Sequence, residues 1–146
     1  MGQVLIVFHS QGGNTKAAAQ AVAEGAKKVA GTEVVVKEAL SAKQDDLLAC
    51  DAIAVGTPDY FSYMAGGLKD FFDRTYYPTQ EKVTDKPCGI FVTHGGGGKA
   101  VDSVQSMCRS FKFKLVGKPV LVKNAPDAEA KGKLAELGKA LAEAAK

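Results

Sequence analysis

Residues 3 to 16, Gln-Val-Leu-Ile-Val-Phe-His-Ser-Gln-Gly-Gly-Asn-Thr-Lys, constrain the fold more than any other stretch of the chain. Val4 to Phe8 form an unbroken apolar run rich in β-branched residues, which predicts a strand buried on both faces. The run gives way to His9 and Ser10, then to Gly12 and Gly13. From Lys16 an alanine-rich segment predicts a helix. A strand, a small polar loop and a helix N-terminus in that order suit anion capture. The first turn of a helix carries N–H groups without partners, and the helix dipole puts partial positive charge there. Ser10, Asn14 and Thr15 add side-chain donors, and the two glycines let the backbone come close. Ser10, Gln11, Gly12, Gly13, Asn14 and Thr15 are the candidate phosphate cradle.

Other phosphate loops do not fit. The Gly-x4-Gly-Lys-Ser/Thr pattern is absent, and so is the dinucleotide fingerprint Gly-x-Gly-x-x-Gly. The acidic residues that a receiver domain needs at the end of its first strand are replaced by His9 and Ser10.

Further along, Ala18, Val22, Ala26 and Val29 mark one face of a helix over 15–29, closed by Gly31. Glu33 to Lys37 is a second strand. Ser41 and Gln44 have the spacing of a capping box for a short helix through Leu48. Ala52 to Gly56 is a third strand. Thr57-Pro58-Asp59-Tyr60-Phe61-Ser62-Tyr63-Met64 then predicts a loop with three aromatics, and such a loop after a strand end lines a site more often than a core. A helix carrying Leu68, Phe71 and Phe72 inward follows, with Pro78 ending the region. Pro87 to Thr93 is a fourth strand. It leads into His94 and the run Gly95 to Gly98, where a flat ligand could lie against main chain. A helix over 101–111, a fifth strand over 119–122 and a last helix capped by Asp127 complete the chain.

Five strands alternating with five helices predict one α/β domain over 1–146, a parallel sheet of order 2-1-3-4-5 with helices on both faces. Ligands in such sheets bind beyond the strand C-termini, at the switch point between strands 1 and 3. The three marked loops all leave strand C-termini, so they converge on one site.

Net charge is +3, with no basic block interleaved with aromatics, which argues against nucleic-acid binding. No apolar run is long enough for a membrane span. The first strand begins at the third residue, which leaves no room for a signal peptide. Cys50, Cys88 and Cys108 are odd in number and unclustered, as in a reduced cytoplasmic protein without a metal site.

Taken together, Ser10 to Thr15, Gly56 to Ala65, the helix Leu68-Lys69-Asp70-Phe71-Phe72-Asp73-Arg74-Thr75, and Thr93-His94-Gly95-Gly96-Gly97 resemble the flavodoxin superfamily. The motifs are most similar to the tryptophan-repressor-binding-protein type of NAD(P)H:quinone reductase. The resemblance implies a flavodoxin-like three-layer sandwich holding FMN. It places the flavin between Thr57, Pro58, Asp59, Tyr60 and Phe61 on one side and Thr93, His94, Gly95, Gly96 and Gly97 on the other. His94 is the candidate catalytic residue. Two readings follow: an FMN enzyme passing electrons from NAD(P)H to a quinone-like acceptor, or an electron carrier that meets a redox protein partner. The chain lacks the insertions that build the tetramer of the longer reductases, which leaves a homodimer open. It also lacks the acidic charge of the one-electron carriers. No glycine stands between Thr57 and Met64 to flip beside a flavin, which favours two-electron chemistry.

Overall fold

The computed structural model describes residues 2–145. In chain order the elements are β1 (Gly2–Phe8), α1 (Asn14–Lys27), β2 (Thr32–Glu38), α2 (Gln44–Ala49), β3 (Ala52–Tyr60) and β4 (Tyr63–Met64). There follow α3 (Gly66–Thr79), β5 (Pro87–His94), α4 (Ala100–Ser110), β6 (Lys114–Leu115), β7 (Val120–Lys123) and α5 (Ala128–Ala144). The sheet runs β2-β1-β3-β5, with β6 and β7 both pairing along the far edge of β5. Every pairing in this order is parallel. The fold is flavodoxin-like, in the predicted order 2-1-3-4-5 once β6 and β7 are taken as one edge.

Alternation along the central strands builds both cores. Leu5, Val7, Ile53, Val55, Ile90 and Val92 face α2, α3 and α4, where they meet Leu47, Leu68, Phe71, Phe72 and Val104. Val4, Ile6, Phe8, Ala52, Ala54 and Phe91 face α1 and α5 and meet Val22, Leu134 and Leu141. On this second side the helices approach very closely. A Cβ on Gly25 would lie 1.9 Å from the Ala135 carbonyl oxygen, and one on Gly138 would lie 2.0 Å from that of Val22. Alanines in the strands and glycines in the helices keep this layer thin.

The structure corrects four local expectations. Residues 57–60 are not loop but the extension of β3: Thr57 and Pro58 pair with Val92 and Thr93 of β5. Asp59 and Tyr60 then pair antiparallel with Met64 and Tyr63, so the aromatic stretch is a tight hairpin. The short second helix starts later than the Ser41–Gln44 spacing implied. Ser41 and Ala42 are taken up in a turn on the Glu38 carbonyl, and Asp46 accepts from the Lys43 N–H at 2.8 Å instead. Pro78 lies in the last turn of α3 rather than beyond it. The fifth strand has a second piece, β6. Between Cys88–Leu115 and Phe91–Val120 the edge advances five residues against three on β5, and Gly117 takes up the excess at φ 66°.

Candidate functional site

The C-terminal ends of β1, β3, β5 and β7 surround a cavity of about 520 Å³. That is within the range of roughly 300–1,000 Å³ typical of small-molecule sites. Its floor is the loop after β1, which supplies Ser10, Gln11, Gly12, Asn14 and Thr15. Gly13 is the N-cap of α1 at φ 100°, a conformation that glycine adopts without steric cost. Its N–H donates to Ser10 Oγ at 3.1 Å, and its carbonyl accepts the first helical bond, from the Ala17 N–H at 3.0 Å. The N–H groups of Asn14, Thr15 and Lys16 therefore stand ahead of the first helical bond. No side chain caps α1, and its first turn holds no acidic residue. This end of the cavity is a ready anion site built from amides and hydroxyls.

Thr15 is buried, and its Oγ1 lies 2.7 Å from Thr93 Oγ1 at the end of β5. Each hydroxyl has one proton, so either can donate to the other and accept or donate toward the cavity with what remains.

The second wall is the end of β3. Pro58, Asp59 and Tyr60 line the cavity. The Tyr60 hydroxyl donates to Gln11 Oε1 at 3.2 Å, and its ring meets His9 edge-on with centroids 6.2 Å apart. Phe61 and Ser62 form the hairpin turn at φ 58° and 64°. Both central residues of a type I′ turn need this left-handed conformation, and for non-glycine residues it costs about 1–2 kcal/mol each. Ser62 is held there by its N–H bond to Asp59 Oδ1 at 2.8 Å. Phe61 projects fully into solvent at the tip and does not line the cavity. Thr57 does not reach it either: it is fully buried, donating to the Pro58 carbonyl at 2.7 Å and accepting from the Ala65 N–H at 2.9 Å.

The third wall is the end of β5, with Thr93, His94 and Gly95. Gly96 and Gly97 lie outside the lining, and a Cβ on Gly95 or Gly96 would meet no atom of the described residues within 4 Å. Glycine here leaves main chain accessible; it does not relieve a clash within the protein. Gly98 is different, with φ 77° and the His94 ring 3.3 Å from its would-be Cβ. His94 Nδ1 is buried without a hydrogen-bond partner among the described residues. Asn124, which sequence reasoning did not single out, closes the lining and donates its N–H to the His94 carbonyl at 2.8 Å. The signal was available, because Asn124 is the first residue after β7 and so occupies the same strand-end position as the other loops.

The residues fit an FMN-sized ligand on this geometry. The lining offers uncommitted amides and hydroxyls to a phosphate, together with an aromatic ring and accessible main chain. The fold and the site together define a flavodoxin-like, FMN-binding class of protein. Comparison with known proteins agrees. The model of the NADPH-dependent FMN reductase family matches residues 4–127. Over 121 residues the chain is 36% identical to a flavodoxin of Aquifex aeolicus (strain VF5), covering 80% of this chain and 65% of that protein. Over 144 residues it is 31% identical to an NAD(P)H dehydrogenase (quinone) of Acidithiobacillus ferrooxidans (strain ATCC 53993 / BNL-5-31), covering 82% of this chain and 72% of that protein. Among solved structures, a flavodoxin from the domain Archaea superposes with a TM-score of 0.88 at 25% identity, over 97% of this chain and 96% of that one. The chain belongs to the NADPH-dependent FMN reductase family, and FMN is its cofactor. It spans between 65% and 72% of the length of these two sequence relatives.

Proposed function

We propose that this protein is an FMN-dependent oxidoreductase that takes two electrons from NAD(P)H and delivers them to a quinone or similar small acceptor. Bound FMN supplies a ring that accepts a hydride equivalent and later gives up two electrons. The chain supplies everything else. Asn14, Thr15 and Lys16 N–H groups with the Ser10 and Thr15 hydroxyls hold the phosphate. Tyr60 and Pro58, which line the same cavity, would hold the ring. The low main chain at Gly95 leaves room for nicotinamide and acceptor in turn. His94, standing in that wall, moves the proton that acceptor reduction consumes.

The observation that carries the two-electron reading is the pinned hairpin. One-electron carriers re-form a hydrogen bond to the flavin by rotating a peptide in this region. Here the turn residues are already committed to left-handed backbone and tied to Asp59. A wall tied in this way resists a rotation that would have to break the Ser62–Asp59 bond. The 31% identity to a quinone dehydrogenase supports the same assignment.

The second reading, an electron carrier that docks on a redox protein, is favoured by length: the chain covers 96% of the archaeal flavodoxin but 72% of the quinone dehydrogenase. Steady-state NAD(P)H oxidation by the FMN-loaded protein, with and without a soluble quinone, separates them. Turnover that depends on quinone is expected. Failure to oxidise NADH or NADPH, together with stepwise one-electron reduction by dithionite, would leave the carrier. The same assay identifies the reductant. The three buried cysteines and the lack, among the described residues, of any helix able to cross a membrane accord with a cytoplasmic setting.

A further inference from the structure

We infer that Asp59 is the positioning residue that ties the two ring-side walls of the cavity into one unit and sets the charge felt at the ring. The second half rests on the proposed FMN site; the first does not.

Each carboxylate oxygen has its own task. Oδ1 accepts from the Ser62 N–H at 2.8 Å and so fixes the hairpin turn. That turn has no glycine at either left-handed position, so its shape depends on partners outside the two residues. Oδ2 accepts from the Ala100 N–H at 3.2 Å, in the first turn of α4, and lies 3.9 Å from the position of a Cβ on Gly97. Asp59 therefore reaches from the hairpin to the end of the glycine loop. The residue at the α4 N-cap, Lys99, makes no capping bond, so the carboxylate is the side chain that meets this helix start. A negative charge there is also favoured by the helix dipole.

A second tie runs in parallel. The Met64 N–H donates to Ser103 Oγ at 3.0 Å, and Ser103 Oγ donates to the Ala100 carbonyl at 2.7 Å. Ala100 is thus bonded to the hairpin side through both its N–H and its carbonyl. The hairpin and the glycine loop cannot separate without breaking both ties. Among the described residues, Asp59 is also the one acidic side chain lining the cavity, and no lysine or arginine of these residues lines it. Its charge opposes the addition of electrons to a ring held beside it.

Two variants test this. In the apoprotein, amide hydrogen exchange by NMR should show Asp59→Asn speeding exchange at Ser62 and Ala100 together, by about tenfold or more, with β1 amides unchanged. Ser103→Ala should speed Met64 and Ser62 together, and it carries the test should Asp59→Asn not fold. A response at one amide alone, or at none, overturns the tie. In the FMN-loaded protein, Asp59→Asn should favour binding of the reduced over the oxidised flavin by about tenfold, read as a midpoint potential raised by about 30 mV. Ser103→Ala keeps the charge and should leave the potential in place. An unchanged potential in Asp59→Asn would make Asp59 a residue of the fold alone. Absence of FMN binding by the wild-type protein would sink the proposed function, while the exchange measurement would still decide the tie.

Discussion

Thr15 Oγ1 and Thr93 Oγ1 share a hydrogen bond of 2.7 Å between residues 78 positions apart. It joins the loop after β1 to the end of β5, beneath the cavity that both line. A phosphate above Thr15 would add a charged acceptor to this pair. Thr15→Ala should therefore weaken FMN binding by about 1.5–3 kcal/mol, roughly 10- to 100-fold. Riboflavin, which lacks the phosphate, should bind both proteins alike. Titration of apoprotein with each flavin measures the difference. Equal losses for the two ligands would place the phosphate elsewhere.

Tyr60 and Phe61 are adjacent, but only Tyr60 lines the cavity. Tyr60→Ala should restore fluorescence to bound flavin, and Phe61→Ala should leave it quenched. Phe61 contributes to stability through its backbone instead. At φ 58°, Phe61→Gly should be more stable than Phe61→Ala by about 1 kcal/mol, because glycine alone adopts this conformation freely. Urea unfolding of the two variants gives the comparison, and the opposite order would mean that the turn carries no such strain.

Gly25 and Gly138 set the spacing of α1 and α5. A methyl group on either would sit about 2 Å from a carbonyl oxygen of the facing helix. Backbone cannot yield as a side chain can, so Gly25→Ala and Gly138→Ala should each destabilise by about 1–3 kcal/mol or more. The midpoint of chemical unfolding should fall in both. A neutral result in either would contradict the close approach of the helices.

Acid should weaken the junction of β2 with α2. Burial raises the Asp46 pKa, but hydrogen bonds from the Lys37 ammonium and the Lys43 N–H, with the charge of both lysines, overcome this and hold it below the ordinary carboxylate value. A folded-state pKa below the unfolded value of about 3.9 gives stability that is fully present above that pH. It is lost as pH falls through the lower, folded value. The stability difference between wild type and Asp46→Asn should therefore be constant from pH 7 to 5 and shrink below pH 4. A difference independent of pH would show that the Lys37–Asp46 contact at 2.8 Å contributes no net charge interaction.

The three thiols should be silent until the protein unfolds. Burial pushes the Cys50 thiol up to about 11, and the contact with Cys108, followed by burial, raises Cys88 as well. Thiolate is the reactive form, and Cys108 is out of a reagent's reach because it is fully buried, so a thiol reagent at pH 7 should label none of the three in the folded state and all of them in denaturant. Fast labelling of Cys50 in the native protein would contradict its burial.

Much of this protein was legible from residue order alone. The apolar runs at Val4–Phe8, Ile53–Val55 and Ile90–Val92 mark strands because burial on both faces removes alternation. Their regular exchange with amphipathic helices leaves few parallel topologies. The chemistry of an amide-rich helix start at Gly13–Thr15 is likewise local. What residue order could not settle depended on partners distant in the chain. Thr57 and Asp59 have the side chains of site residues, yet Thr57 is spent inside on Ala65 and Pro58, and Asp59 is committed to Ser62 and Ala100. Phe61 carries the same aromatic signal as Tyr60, but a two-residue turn sends it outward. That turn exists because β3 continues along β5 to Pro58 and then folds back on itself, a pairing no propensity encodes. Asn124 enters the site only because the edge strand, after its two-residue offset, ends level with His94. Local sequence determines which segments are strands and helices, whereas long-range pairing decides where each strand stops, and the site lies at those stops.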